Sequence, residues 1–518
     1  MSNWLWAYGD RLSARPGESI GLHVAGTGGV CSIEIARVGA CRTIVLRRND
    51  VRVEPRPVPD DAHVVGCGWP ETCRVAIGPD WTPGYYDIVL RSGDGGEARH
   101  FFVVKASQPT AKAVIVLATN TYQAYNWWGG ANSYVWVGGP SPARVPGEES
   151  RRVAATVLSA ERPFSGGLLK PRSSTHRLVT QRRRGFMERP FIGEVADEVR
   201  AGGEGWDCPA GFLDKWEHAF VAWSEGAGYA LDYLTDVDLE NEPRALEGYA
   251  AALFVGHSEY WSWGQRSEVE RFVDAGGDAA ILSGNTCYWQ CRWEDGGRRF
   301  VVYKGQSDRD PVLVDPAGRH LASGLWSDPV TGKPEAALTG LSFLMGGYHR
   351  FANCVGRGIA GYTVWRDDHW ALEGADLHWG DVFGDDCRLV GYENDGCHFT
   401  LGADRLPVAL PHLGVPESLE IIATAPVTLA EPERSVHRRL VPPEAWPMLT
   451  RVHAGVDSPA NRARMMRGHA VMASFRRGAG EVFNAGTTEW AYGLAAGNPF
   501  VERITRNVLD RFIDRPAI

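Results

Sequence analysis

Four consecutive residues, His257-Ser258-Glu259-Tyr260, place an imidazole, a carboxylate and a phenol in one short stretch. That combination can move protons near neutral pH or, with its oxygens deprotonated, hold a hard cation. Two other segments have a similar density of hydrogen-bonding groups and rings. One runs Asn120-Thr121-Tyr122-Gln123-Ala124-Tyr125-Asn126-Trp127-Trp128-Gly129-Gly130, the other Ser283-Gly284-Asn285-Thr286-Cys287-Tyr288-Trp289-Gln290. Each group also has a plainer use: His257 can bond backbone at a strand end, Glu259 can favour a helix N-terminus, and tryptophans are more often core than ligand contacts. Familiar templates do not fit. There is no G-x-S-x-G elbow at a strand end, no Walker loop, no H-E-x-x-H, and no G-x-G-x-x-G after the first apolar strand. Cys287 leaves one nucleophilic alternative, with His257 as its base, although bulky Tyr288 and Trp289 follow where such an elbow needs small residues.

The elements around these segments explain why they should meet. Each follows an apolar run: Ala113–Ala118, Ala251–Val255 and Ala279–Leu282. Continuous runs of this kind suit strands buried on both faces of a parallel sheet. Between the second and third lies a helix, opened by Ser262 with Gln265 in capping-box register, striped by Val269, Phe272 and Val273, and ended by Gly276-Gly277. That is a βαβ unit, and in such sheets ligands gather beyond the carboxyl ends of the strands. Tyr229–Leu234 reads as a further strand after a helical Leu213–Trp223, Val471–Phe475 with Gly480–Asn484 as a hairpin, and Phe500–Phe512 as an amphipathic helix. The expected fold class is α/β, with a mostly parallel sheet core, an N-terminal β-sandwich over 1–108, a catalytic region over 109–518, and a loop-rich β insertion at 295–425. The sandwich rests on short alternating runs (Ile20, Leu22, Val24; Cys31, Ile33, Ile35) between glycine-bearing turns.

Composition limits the function classes. The 518 residues suggest two to four domains at about 150 residues each. With 54 basic against 63 acidic residues the net charge is −9, which argues against a general nucleic-acid binder. No apolar stretch is long enough for a membrane helix and the N-terminus has no secretory pattern, so a cytoplasmic protein with no membrane partner is expected. Ten cysteines show no zinc-ligand spacing. Twenty tryptophans favour ring-lined pockets.

The three loop segments, together with Val302-Tyr303-Lys304, Gly391-Tyr392-Glu393-Asn394-Asp395-Gly396 and Gly480–Thr487, form an ordered series over about 110–518. This series resembles the large (β) subunit of N,N-dimethylformamidase, and the sheet resembles a class I glutamine-amidotransferase-like core without a recognisable Cys-His-Glu triad. The resemblance implies a mononuclear iron, as Fe3+, held by two tyrosines and a glutamate and hydrolysing a small linear amide. Carried over by motif, the ligands are Tyr260, Tyr303 and Glu393, with Tyr288 and Tyr392 as substitutes. Two phenolates and a carboxylate suit a hard ferric ion. His257, Glu259 and Asn285 become the candidates for proton transfer and oxyanion support. Tyr122, Asn126, Trp127, Trp128, Trp261 and Trp289 become the candidate substrate wall. The resemblance also implies an oligomer, with a separate small subunit in the family's characterised enzymes, and a shorter N-terminal part here than in their large subunits. The rival from another class is a non-catalytic protein that stacks a carbohydrate on the tryptophans.

Overall fold

The computed structural model describes residues 4–126, 128–134, 155–170, 210–213, 215–349, 359–429 and 445–515. Near the N-terminus two sheets face each other. Leu5–Gly9, Ser19–Gly26 and Cys73–Ala76 form the smaller, and Ser13–Ala14, Glu97–Val104, Gly84–Ser92, Gly29–Val38 and Arg42–Val53 the larger. Alternation along the strands puts Ile20, Leu22 and Val24 of one sheet against Ile33, Ile35, Ile88 and Phe102 of the other in one apolar cluster. Trp81 stacks on Tyr86 at 5.2 Å to close it.

The large sheet corrects the expected fold class. Five neighbours do run parallel, in the order Leu231–Thr235, Ala113–Leu117, Ala251–Gly256, Asp278–Ser283, Gly480–Asn484. The sheet then continues antiparallel through Gly468–Arg477, Glu420–Val427, Tyr362–Val364 and Val382–Phe383, with Pro407–Ala409 and Phe399–Leu401 alongside, reaching eleven strands. Strand outweighs helix, 34% to 25%, and the remaining sheets are antiparallel or mixed. The molecule is therefore β-rich with mixed sheets, and neither a mostly parallel α/β core nor the glutamine-amidotransferase-like class describes it. The reason is long-range pairing: strands drawn from 362–427 extend this sheet by non-local hydrogen bonds that the short runs there do not announce.

The βαβ unit forms as its local signals require. Ser262 has extended backbone at the start of the helix Trp263–Ala275, Gln265 Oε1 accepts the Ser262 N–H at 3.4 Å, and Gly276 at φ 120 ends it. Val269, Phe272 and Val273 are buried beneath the sheet. At the exit of the preceding strand Gly256 has φ 80, and a Cβ there would fall 2.6 Å from Trp216, so only glycine turns the chain toward His257. Among the described residues no helix is long and apolar enough to cross a membrane.

Candidate functional site

The carboxyl ends of the parallel strands do collect the polar loops, and backbone hydrogen bonds lock them together. Tyr288 and Trp289 N–H both donate to the Glu259 carbonyl, at 2.9 and 3.0 Å, and Cys287 N–H donates to Ser258 at 2.9 Å. The Glu259 N–H donates to Thr121 Oγ1 at 3.1 Å, tying in the first loop. The segment 393–395 is drawn in from far along the chain. Gly284 makes room for it, since a Cβ there would lie 2.4 Å from the Glu393 carbonyl. Thr488 N–H donates to that carbonyl at 3.0 Å. The Asp395 carboxylate takes the N–H groups of Asn285 (2.8 Å) and Thr286 (3.1 Å), which fixes Asn285 at φ 53. Burial pushes that carboxyl up, and even with these two backbone donors opposing the rise it stands at about 7.

Inside this frame is a buried polar cluster. Tyr125 and Tyr134 both reach Glu259: the Tyr125 hydroxyl lies 3.0 Å from one carboxylate oxygen, and Tyr134 lies 2.7 and 2.8 Å from the two. The two phenol oxygens are 2.8 Å apart, with their rings stacked at 4.5 Å. Tyr260 stands behind them and donates to the Tyr134 oxygen at 2.8 Å. On the other side His257 Nε2 is 2.7 Å from Glu393 and 3.4 Å from Glu259, joining the two carboxylates through one imidazole. The Lys304 ammonium sits 3.2 Å above the centre of the Tyr134 ring and 5.0 Å from that of Trp289, with the Ser133 carbonyl at 3.4 Å. Tyr392 and Tyr348 wall the His257 side, their rings 5.8 Å apart.

Burial governs the electrostatics. It raises Glu259, and Glu393 adds to the rise, while His257 and Lys304 oppose it. It pushes the phenols of Tyr125, Tyr134 and Tyr260 well above their ordinary value, with Glu259 adding repulsion. It lowers Lys304 to about 7 against the pull of Glu259 and Glu393. Glu259, the three phenols and Lys304 are thus each pushed toward the neutral form, a setting in which a multivalent cation would have large leverage over protonation. Oxygens 2.7 to 3.0 Å apart match the spacing of adjacent ligands around an ion held at about 2.0–2.1 Å. The donor set of Tyr125, Tyr134 and Glu259, two phenols and a carboxylate, fits a hard ferric ion.

The residues expected from sequence fall unevenly around this cluster. His257 and Glu259 are at its centre, and Tyr260 and Glu393 border it. Tyr303 is not brought in. It is partly exposed at the turn before Lys304, with Thr156 as its hydroxyl's partner and Asp310 and Arg292 as its charged neighbours, and among the described residues it touches none of Tyr260, Glu259 and Glu393. Asn285 is buried nearby with its side-chain oxygen lacking a hydrogen-bond partner. Of the expected wall, Trp289 lies at the cluster under Lys304, beside Tyr288. Tyr122 instead donates to Glu217. Asn126 caps backbone at Trp128 and Ser165. Trp128 packs edge-on against Trp6 of an N-terminal strand and Trp69 of the segment before Cys73–Ala76. Trp261 belongs to a separate apolar cluster with Phe254, and Trp127 lies outside the described residues. Cys287 is also in that separate cluster, and burial drives its thiol far up, so it is a protonated core thiol whose charged neighbours are Arg266, Glu335, Glu270 and Lys333. Sequence reasoning missed Tyr134 and Lys304 as site groups and quoted Tyr125 without a role. The available signal was a run of tyrosines in one strand-end loop, which does not say which phenols converge.

A family model described as N,N-dimethylformamidase beta subunit-like, C-terminal, matches residues 33–503. No curated protein matches. Among solved structures, a cycloisomaltooligosaccharide glucanotransferase from Paenibacillus sp. is 12% identical over 27% of this chain and 22% of its own, with a TM-score of 0.15. The sporulation control protein Spo0M from Bacillus subtilis is 9% identical over 21% and 51%, at 0.15. A superoxide reductase (neelaredoxin) from Ignicoccus hospitalis is 10% identical over 20% and 80%, at 0.13. This chain thus spans about a fifth of the first of these and half of the second.

Proposed function

The chain belongs to the N,N-dimethylformamidase beta subunit-like family, and on that premise we propose that it hydrolyses the C–N bond of a small linear amide in the buried cluster around Glu259. The observation that carries the reading is the convergence of Tyr125, Tyr134 and Glu259 beside the close His257–Glu393 pair, 2.7 Å apart. We assign iron to those three oxygen donors in place of the set carried over by motif, because Tyr303 does not reach the others. When bound, such an ion polarises a carbonyl and makes water nucleophilic near neutral pH.

The chain's own residues supply the rest. Attack of water on an amide carbonyl requires a proton to leave the water and one to reach the departing nitrogen, since an amide anion is a very poor leaving group. His257 is the group suited to both transfers, with its Nε2 facing Glu393 at 2.7 Å and Glu259 at 3.4 Å. Lys304, held near neutrality by burial, can present a positive charge or a hydrogen bond to the developing oxyanion. The rings of Tyr288, Trp289, Tyr348 and Tyr392 border the cluster, a wall that suits a small, weakly polar N-substituent rather than a long chain.

The test is metal analysis of the purified full chain, its visible spectrum, and amine release from N-substituted formamides and acetamides. Expected are about one iron per chain, a tyrosinate-to-iron band, and hydrolysis that Glu259→Gln abolishes together with the band. Hydrolysis by iron-free protein would overturn the iron assignment. Iron-loaded protein inert toward every simple amide would overturn the reaction.

A further inference from the structure

Three histidines far apart in sequence meet at a place separate from the Glu259 cluster. His398 follows the strand Asn394–Gly396, His412 follows Pro407–Ala409, and His453 is in the last turn of the helix Trp446–Ala454. One ring nitrogen from each lies within 4.8 Å of the other two. The Nε2 atoms of His398 and His453 are 2.9 Å apart. The rings surround a common point, with centroids 5.3, 5.0 and 4.9 Å apart. One shared proton satisfies the His398–His453 contact, yet His412 Nε2 and His453 Nδ1 are buried with no hydrogen-bond partner. Buried ring nitrogens without partners are uncommon, and each calls for an explanation such as an ion.

We propose that His398, His412 and His453 form a second metal site, for zinc or a similar late divalent ion, distinct in place and ligand chemistry from the tyrosine–glutamate cluster. Imidazole nitrogen suits zinc, and three protein ligands leave a fourth position for water or an anion. Burial favours the neutral rings, with repulsion from the neighbouring histidines adding to it at His398 and His453: His398 is lowered to about 4, His453 to about 3, and His412 in the same direction. Arg464 acts on all three rings, and His469 on His398. The positive charge of Arg464 favours an anion or hydroxide at the open position. An ion here would pin the helix 446–454 to the segment 394–412.

The test uses tag-free full-length chain. Zinc and iron are counted as purified. The protein is then stripped with a chelator and titrated with Co2+, followed by Zn2+ competition. Expected are about one zinc per chain and a cobalt visible band that zinc displaces. His453→Ala and the milder His412→Asn should each weaken zinc binding by more than the 10–100-fold that losing an outer partner of a ligand typically costs, roughly 100-fold or beyond. Iron content and any tyrosinate band should be unchanged in both variants, which separates this site from the one in the proposed function. Circular dichroism checks folding, and if His453→Ala misfolds, His412→Asn decides. Zinc bound equally by wild type and a folded variant, or no cobalt band in wild type, overturns the proposal.

Discussion

Replacing Tyr134 by Phe, beside Tyr303→Phe, tests which phenols make the site. The Tyr134 oxygen is the junction of the cluster: it receives a hydrogen bond from Tyr260 at 2.8 Å, lies 2.8 Å from Tyr125, and donates to Glu259 at 2.7 and 2.8 Å. A hydrogen bond contributes roughly 0.5–1.5 kcal/mol, or about 1.5–3 kcal/mol to a charged group, so without any metal the variant should lose roughly 0.5–3 kcal/mol of stability and stay folded. With iron the loss is larger, because a donor to the ion is removed: retention should fall beyond the roughly 10–100-fold that loss of a supporting partner costs. Amide hydrolysis should fall with it. Tyr303→Phe removes a hydroxyl that is partly exposed and, among the described residues, meets Thr156 and more distant charges, and such substitutions usually change stability by no more than about 0.5 kcal/mol. The assay is iron stoichiometry, the visible band and kcat/KM for both proteins, with melting temperatures as the folding control. A Tyr303→Phe protein that loses iron while Tyr134→Phe keeps it would refute the geometric assignment and restore the set read by motif.

Three further outcomes follow from the same structure. Glu217, buried and joined to Tyr122 and the Ala118 N–H, is raised by burial to about 7. The folded state therefore holds its proton where the unfolded chain has lost it, and stability falls as pH rises from about 4.5 to 7, by roughly 3 kcal/mol for this group. Denaturant melts at pH 5 and 7.5 should show that slope flattened in Glu217→Gln, and an unchanged slope would remove Glu217 as its source. Cys287→Ala should cost about 1–2 kcal/mol through the lost core volume while leaving kcat intact, and alkylation of the native protein should not inactivate it; inactivation specific to Cys287 would contradict its burial. Gln265→Leu should cost roughly 1–3 kcal/mol, because the Gln265 amide joins Asp236 at 2.6 Å and Asn120 at 3.1 Å; a neutral change in the melting midpoint would show that these bonds contribute nothing net.

The local grammar of the chain was legible without coordinates. The βαβ unit, its Ser262 start and Gly276 stop, and the hairpin near 471–484 all follow from apolar runs and capping residues that act within a few positions of one another. The edge rule then brought His257, Glu259 and Asn285 to one end of the strands, because parallel strands place their following loops on the same side. What the sequence left open depends on contacts between distant segments. Sheet class turned on strands from 362–427 joining antiparallel, a pairing made by non-local hydrogen bonds. The phenols turned on side-chain direction: Tyr303 and Lys304 are neighbours, yet only Lys304 enters the cluster, while Tyr134 enters from a loop whose spacing gives no sign of it. The histidines at 398, 412 and 453 were invisible as a group for the same reason. Periodicity and capping are local forces that a chain displays residue by residue, whereas a buried site is a choice among side chains that only the packed backbone makes.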